Sequence, residues 1–303
     1  MPKSPMLAER ESAHLYPDDV RFPLYALPKL DGIRCVIEGG IANSRKFIPI
    51  KNNHIRELLS NTELEGLDGE LTVGPVNAEN VFNLTTSAVM GNRVIEPQFE
   101  YHVFDDFSTP DDPWHLRQDR LRERLDGLTD FFPMLRYVQP THISNWNALD
   151  GYEQIQLAAG YEGVITRDPN APYKFGRSSR NQQGMLKLKR FADSEAEVIG
   201  FVELMHNTNE DVKDALGHAK RSKAQAGLVG GATLGKLQCR DLKTGVEFQI
   251  GMFKGLTMED KQAIWDDRER YLGKYVKYGY FSHGVVDLPR HSKFLGWRDP
   301  ADM

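Results

Sequence analysis

The chain has 303 residues, 40% hydrophobic and 27% charged, with only two cysteines. This composition builds a globular core without a disulfide scaffold and rules out a four-cysteine zinc site. Lys+Arg 38 against Asp+Glu 43 leaves a formal net charge of -5, which excludes coating nucleic acid by bulk positive charge but leaves room for a local basic groove.

Residues 1–20 read as an irregular lead with Pro2, Pro5 and Pro17. They hold no apolar signal-peptide segment, and no later stretch approaches the roughly 18 apolar residues of a membrane span. A cytoplasmic protein with no membrane partner is expected. Strand-like runs follow at 32–38, 67–73, 100–107 and 163–166. Helical periodicity covers 114–125 and 148–159, and Asp112-Pro113 marks the start of the first helix. After Lys189 the texture becomes β-rich, with short strands expected at 196–203, 235–241, 245–251 and 274–281. Lys243-Thr244-Gly245 is a hairpin signal between two of them. One helix interrupts: Thr257 caps it, Asp260 holds the capping-box position and Gly273 ends it. Short strands with a helix before the last predict a small barrel such as an OB-fold. The fold class is therefore α+β, with domains at 1–190 and 191–303. Residues 206–233 are polar, carry Lys213, Lys220, Arg221 and Lys223, and do not fit a strand. Such an insertion in a compact domain is functional or disordered.

The chemistry-bearing signals also come in order. Lys29-Leu30-Asp31-Gly32-Ile33-Arg34 sets a lysine before a tight turn, with an arginine five residues on. A lysine is a nucleophile only as the free amine, which desolvation or neighbouring positive charge favours. Ser44-Arg45 offers a hydroxyl and a fork of donors to phosphate. Asp68-Gly69-Glu70 places two carboxylates on one face of a strand, and Lys187-Leu188-Lys189 does the same with two ammonium groups. Phe104 is an aromatic able to stack on a base, and Glu162 opens a buried strand. Singly, each has an ordinary structural reading as an ion pair, a turn or a core aromatic. Residues 230–236 match the start of a P-loop, but Leu237 replaces the required Ser/Thr and a strand is expected to follow, so this match is discarded.

The series as a whole resembles the covalent nucleotidyltransferases. The stretches TTSAVM, YHVFDDF, YEGVITRDP, YKFGRSS and MLKLKRFADSEAEVIG, continued by KYVKYGYF and PRHSKFLGWR, are similar to the minimal ATP-dependent DNA ligases of the chlorella-virus type over nearly the whole chain. The resemblance implies a nucleotidyltransferase domain followed by an OB-fold. It implies that Lys29 attacks ATP to form a lysyl-AMP, that AMP passes to the 5′-phosphate of a nick in double-stranded DNA, and that the 3′-hydroxyl then seals the strand. By the same resemblance Asp31 and Arg34 belong to the catalytic motif, Glu70 binds the ribose, Phe104 stacks on adenine, and Lys187 and Lys189 neutralise the α-phosphate. Arg177 is a further nucleotide contact. Glu162, with Asp68 assisting, contacts Mg²⁺, for which Mn²⁺ would substitute. Arg34, Ser44 and Arg45 meet the nick phosphate. Asp287, Arg290 and Arg298 resemble the terminal motif that orients the pyrophosphate, although Ser292 departs from the proline of many relatives. Residues 206–233 align with a latch hairpin that closes around duplex DNA through Lys220, Arg221 and Lys223, and a hinge is implied at 190–194. One chain supplies every motif, so a monomer of viral, phage or bacterial origin is expected. An RNA ligase or a GTP-using capping enzyme shares the lysine, DGE and KxK series. A degenerate clamp that binds nicks without sealing them is the non-enzymatic alternative, and intact Lys29, Glu162, Lys187 and Lys189 stand against it.

Overall fold

The computed structural model describes residues 4–213, 219–222, 224–281 and 288–299. The fold is mixed α+β and divides into two compact units, Met1–Arg190 and Phe191–Met303. In the first unit the chain runs β1 (Met6–Leu7), β2 (Leu24–Pro28), β3 (Ile33–Glu38), β4 (Ile41–Ser44), α1 (Asn53–Leu59), β5 (Leu67–Thr72), α2 (Val81–Val89), β6 (Glu100–Asp106), α3 (Trp114–Leu128), β7 (Leu135–Tyr137), β8 (Thr141–Ile143), α4 (Trp146–Ala158), β9 (Val164–Arg167), β10 (Gly176–Arg177) and β11 (Met185–Leu188).

Two sheets organise this unit. One has the order β4-β3-β5-β6-β7 and the other β11-β9-β2-β8. Strand alternation gives each sheet two apolar faces. Cys35, Ile37, Leu67, Leu71, Tyr101 and Val103 point from the five-stranded sheet into a core completed by α1 and α3. Leu24, Ala26, Val164, Leu186 and Leu188 point from the four-stranded sheet toward α4. The opposite faces meet each other through Val36, Ile165 and Met185 in one cluster, and through Leu27 and Phe104 in another. The functional side chains lie between these two inner faces. Helix α3 shows why sequence and packing agree. Trp114, Gln118, Leu121 and Leu125 recur at helical spacing along its buried side, and Arg117 joins them to meet a carboxylate in the core.

The second unit contains β12 (Ala192–Asn207), β13 (Asp211–Lys213), β14 (Ala219–Arg221), β15 (Leu228–Asp241), β16 (Glu247–Ile250), β17 (Met252–Phe253), α5 (Met258–Asp266), α6 (Arg268–Tyr271), β18 (Tyr275–Phe281) and β19 (Arg290–Arg298). Its main sheet has the order β16-β15-β12-β18-β19-β17. The hydrogen-bond ladder is open rather than a closed ring. Its edge strands β16 and β17 are nevertheless parted by Gly251 alone, so the sheet must roll until its edges meet. Ile264 of α5 packs into the apolar core inside the roll with Val198, Leu237, Ile250, Val276 and Phe294. Thr257 and Asp260 form the expected capping box, but the helix stops at Asp266 and a separate turn, α6, precedes Gly273.

The insertion differs from its sequence reading. Residues 206–207 and 228–233 are strand, because β12 and β15 stay paired out to Asn207↔Leu228. Beyond them β13 and β14 form a second antiparallel ribbon. Residues 230–236 therefore lie inside β15, which excludes a phosphate-binding loop. Gly230 and Gly231 sit within the strand and do not end the insertion. A Cβ at Gly230 would stand 2.4 Å from the Glu203 carboxylate.

Candidate active site

Lys29 follows β2 directly. Its backbone N–H donates to the Gly163 carbonyl at 2.8 Å, and its carbonyl accepts from the Glu162 N–H at 3.1 Å. This two-way pairing brings the Lys29 ammonium onto Glu162, which is only 4% exposed. Glu162 also accepts from Lys189 Nζ at 2.5 Å, so one carboxylate joins the two lysines. Burial alone would raise a carboxyl group, but Lys29 and Lys189 outweigh it and hold Glu162 below the usual range. Gly163 makes the approach possible. Its φ is +148°. A Cβ there would stand 2.2 Å from the Leu188 carbonyl oxygen, which no side chain tolerates.

Lys187 and Lys189 leave the same face of the β11 end. Lys187 donates to the carbonyls of Glu9 (2.9 Å) and Arg10. Burial, then Arg177, Lys29 and Lys189, push its ammonium down to about 8. Lys189 is likewise lowered, mainly by burial. Across the cleft, Arg34 and Glu70 are register partners on β3 and β5. Burial pushes Glu70 up to about 7, against the pull of Arg34 and Lys29. Asp31 and Glu162 add to the push, which places both near Glu70, and Asp31 itself is buried. Lys29, Asp31, Glu70, Glu162, Lys187 and Lys189 thus form one polar cluster between the sheets.

Arg34 occupies a different position from the one expected of a nick-phosphate ligand. Its Nε and Nη2 donate to the two oxygens of Asp68 at 2.5 and 2.6 Å, and its guanidinium lies 4.5 Å from the Phe104 ring centroid. Burial works against the charge, but Asp68 outweighs it and holds Arg34 protonated. The hydroxyl of Tyr173 donates to Asp68 at 2.5 Å. Asp68 has zero exposure and both oxygens engaged, so it does not fit the role of metal ligand expected of it. Glu162 is also buried, and its two oxygens are engaged by Lys29 and Lys189, so it fits an oxygen-binding cation only once one of those ammonium groups is withdrawn. Phe104 is partly buried beside Leu27 and Trp114, with its backbone carbonyl accepting from Gln118 at 2.9 Å. Tyr173, the first residue of YKFGRSS, has no role legible in the sequence beyond its place in that stretch.

The remaining expected contacts are scattered. Arg177 is exposed and donates to the Ala8 carbonyl at 2.6 Å. Ser44 pairs with Cys35, so its side chain shares the face opposite that of Arg34. Arg45 is exposed in the turn after β4. Arg290 and Arg298 are the first and last residues of β19, roughly 25 Å apart along an extended strand. That spacing makes them separate contacts and not one clamp. Arg298 pairs with Glu195 at 3.0 Å, and Arg290 lies 5.6 Å from the Phe281 ring. Arg221 is exposed on β14 and donates to the Asn207 carbonyl at 3.0 Å. Lys223 and Asp287 lie outside the described residues, as does the side chain of Lys220. Among the described residues, no helix is long and apolar enough to cross a membrane.

No protein-family model and no curated protein matches the sequence. Solved structures do. The chain is 30% identical to the Chlorella virus DNA ligase-adenylate, with a TM-score of 0.55 over 98% of this chain and 100% of that one. A second structure of the same ligase-adenylate is 31% identical, with a TM-score of 0.54 over 99% of each chain. A Lig E DNA ligase, described as binding DNA with a minimal scaffold, shares the fold at a TM-score of 0.73 and 21% identity, over 98% of this chain and 100% of that one. Full coverage in both directions at this identity, joined to the lysine-centred site, shows that the chain belongs to the minimal ATP-dependent DNA ligases.

Proposed function

We propose that this DNA ligase seals 3′-hydroxyl/5′-phosphate nicks in duplex DNA, in repair or replication, through a lysyl-AMP and then a DNA-adenylate. The observation that carries the reading is the convergence of Lys29, Glu162, Lys189, Lys187 and Glu70 between the two sheets. Lys29 sheds a proton before its lone pair attacks the α-phosphorus of ATP; an N–P bond forms, the Pα–O bond breaks and pyrophosphate leaves. Glu162 is the carboxylate in contact with that amine. Lys187 and Lys189 meet the charge that builds on the α-phosphate, Glu70 accepts from the ribose, and Phe104 supports adenine. The Lys29 charge disappears in the phosphoramidate, and Glu162 then loses one of its two cationic partners. Mg²⁺ would supply further phosphate neutralisation, with Glu162 as its protein ligand. The second unit serves as the OB-fold, its ribbon between Asn207 and Leu228 as the DNA latch, and the chain acts as a monomer.

Incubation with α-labelled ATP and Mg²⁺, after discharge with pyrophosphate, should leave labelled protein on a denaturing gel. A band that survives Lys29→Ala defeats the assignment. Sealing of a nicked DNA duplex should exceed sealing of nicked RNA and of single strands; the reverse order would make the chain an RNA ligase.

A further inference from the structure

A hydrogen-bonded chain behind the cleft uses none of the residues assigned so far except Lys189. The Lys189 N–H donates to Ser12 Oγ at 3.1 Å. Ser12 Oγ lies 3.0 Å from His14 Nδ1, and His14 Nε2 lies 2.8 Å from Glu153 Oε2. The polarity follows from the groups themselves. Glu153 can only accept, so His14 Nε2 donates to it. The Ser12 hydroxyl faces two acceptors, His14 Nδ1 and, at 3.5 Å, the Lys187 carbonyl, and gives its proton to the nearer Nδ1 while its oxygen accepts from Lys189. The donors therefore run in one direction, from the Lys189 backbone to the Glu153 carboxylate. Glu153 has zero exposure although it sits on the helix face that also buries Leu149. Its Oε2 takes two further bonds from Arg190, Nε at 2.9 Å and Nη2 at 2.7 Å, and Arg190 Nη2 also reaches Asp150 at 2.7 Å. Its Oε1 has no hydrogen-bond partner among the described residues. Trp146 stands edge-on to the His14 ring, 6.1 Å between centroids, and fixes its plane.

His14, Asp150 and Glu153 have the spacing of a metal site. The Arg190 guanidinium already binds both carboxylates there, so their charge is balanced by the protein itself. The arrangement clasps the polypeptide on both sides of Lys189: Ser12 takes its backbone N–H and Glu153 takes the side chain of the next residue. We propose that Ser12, His14 and Glu153 are positioning residues that fix the Lys189 ammonium for the transfer of AMP to Lys29. The proposal rests on the assignment of Lys189 to that step.

The test is single-turnover formation of lysyl-AMP at varied ATP. His14→Ala and Glu153→Gln should lower the saturating rate by between about 10-fold and about 100-fold, the cost of a displacement near 1 Å, while the ATP concentration giving half the maximal rate stays within about twofold. His14→Asn keeps an acceptor for Ser12 and His14→Gln keeps a donor for Glu153, so each half-replacement should restore only part of the rate. In a Lys189→Ala background, His14→Ala should cost nothing further. Effects that multiply in the double variant, or rates that fall only with the thermal midpoint, would overturn the proposal. Wild-type protein that forms no lysyl-AMP would instead defeat the underlying assignment, a separate result.

Discussion

At the scale of single residues, the cleft contains two groups that titrate near neutrality in opposite senses. Burial raises Glu70 to about 7, and burial with three neighbouring cations lowers Lys187 to about 8. In its proposed role Glu70 accepts from a ribose hydroxyl more strongly as the carboxylate than as the neutral acid, so nucleotide capture gains as pH rises through 7. Lys187 must be protonated to neutralise phosphate, so capture loses as pH rises through 8. Lysyl-AMP formation at subsaturating ATP, which reports the free enzyme, should therefore follow a bell with limbs near those values. Glu70→Gln should remove the acid limb alone and Lys187→Arg the alkaline limb alone. Because the free Lys29 amine adds its own rise with pH, the decisive comparison is with the variants: a wild-type profile that Glu70→Gln and Lys187→Arg leave unchanged would contradict both assignments. The sequence made these two residues legible because their type and spacing state their chemistry. It did not reveal that Arg34 is committed to Asp68, since that pairing depends on the β3–β5 register across 34 residues, which no local pattern encodes.

At the scale of elements, the same distinction between local and distant information recurs. Strands β3, β5 and β6 are readable as short strand-like runs, buried on both faces, and α3 from its 3.6-residue stripe. The arms of the β12–β15 ribbon were cut short because their outer residues, such as Met205 and Val229, are exposed, and a strand without a buried face shows no alternation. That correction changes how the proposed latch is best removed. Asn207 and Leu228 face each other in register, so residues 208–227 can be replaced by Asn-Gly, a turn that suits a two-residue hairpin. The trimmed protein should form lysyl-AMP at the wild-type rate while binding nicked DNA at least about tenfold more weakly, through lost phosphate contacts. Equal loss of both activities in a gel assay and a binding titration would show that the ribbon supports the fold and not DNA. Gly163 offers the opposite case, a single atom acting on two elements. Gly163→Ala sets a Cβ against the Leu188 carbonyl and strains a φ of +148°. Urea unfolding should show a loss of at least about 2 kcal/mol, together with slower lysyl-AMP formation as Glu162 and Lys189 separate. An unchanged midpoint would mean that β9 and β11 part easily.

For the whole molecule, a net charge of -5 must coexist with an anionic polymer as substrate. Residues 173–190 carry six basic side chains and no acid, which in the sequence makes a uniform basic strip. Folding divides it. Arg180 pairs with Asp19, Lys189 with Glu162, and Arg190 with Asp150 and Glu153. Lys174, Arg177 and Lys187 instead donate to uncharged oxygens, of Gln182, Ala8 and Glu9 respectively, so their positive charge is uncompensated by these contacts. A phosphate gains most from a cation that it need not take from a carboxylate. DNA binding should thus weaken with salt despite the acidic total, and the slope of log K against log salt should count the uncompensated cations. Lys174→Ala and Arg177→Ala should each flatten that slope by about 0.9, the release expected for one phosphate contact on duplex DNA. Arg180→Ala should flatten it by clearly less, because Asp19 already neutralises the arginine, which therefore displaces little counterion from the DNA. Titrations of nicked duplex from 50 to about 200 mM salt distinguish the cases. Equal slopes for Arg177→Ala and Arg180→Ala would mean that DNA strips Arg180 from its carboxylate, and that the paired arginines belong to the binding face as fully as the others.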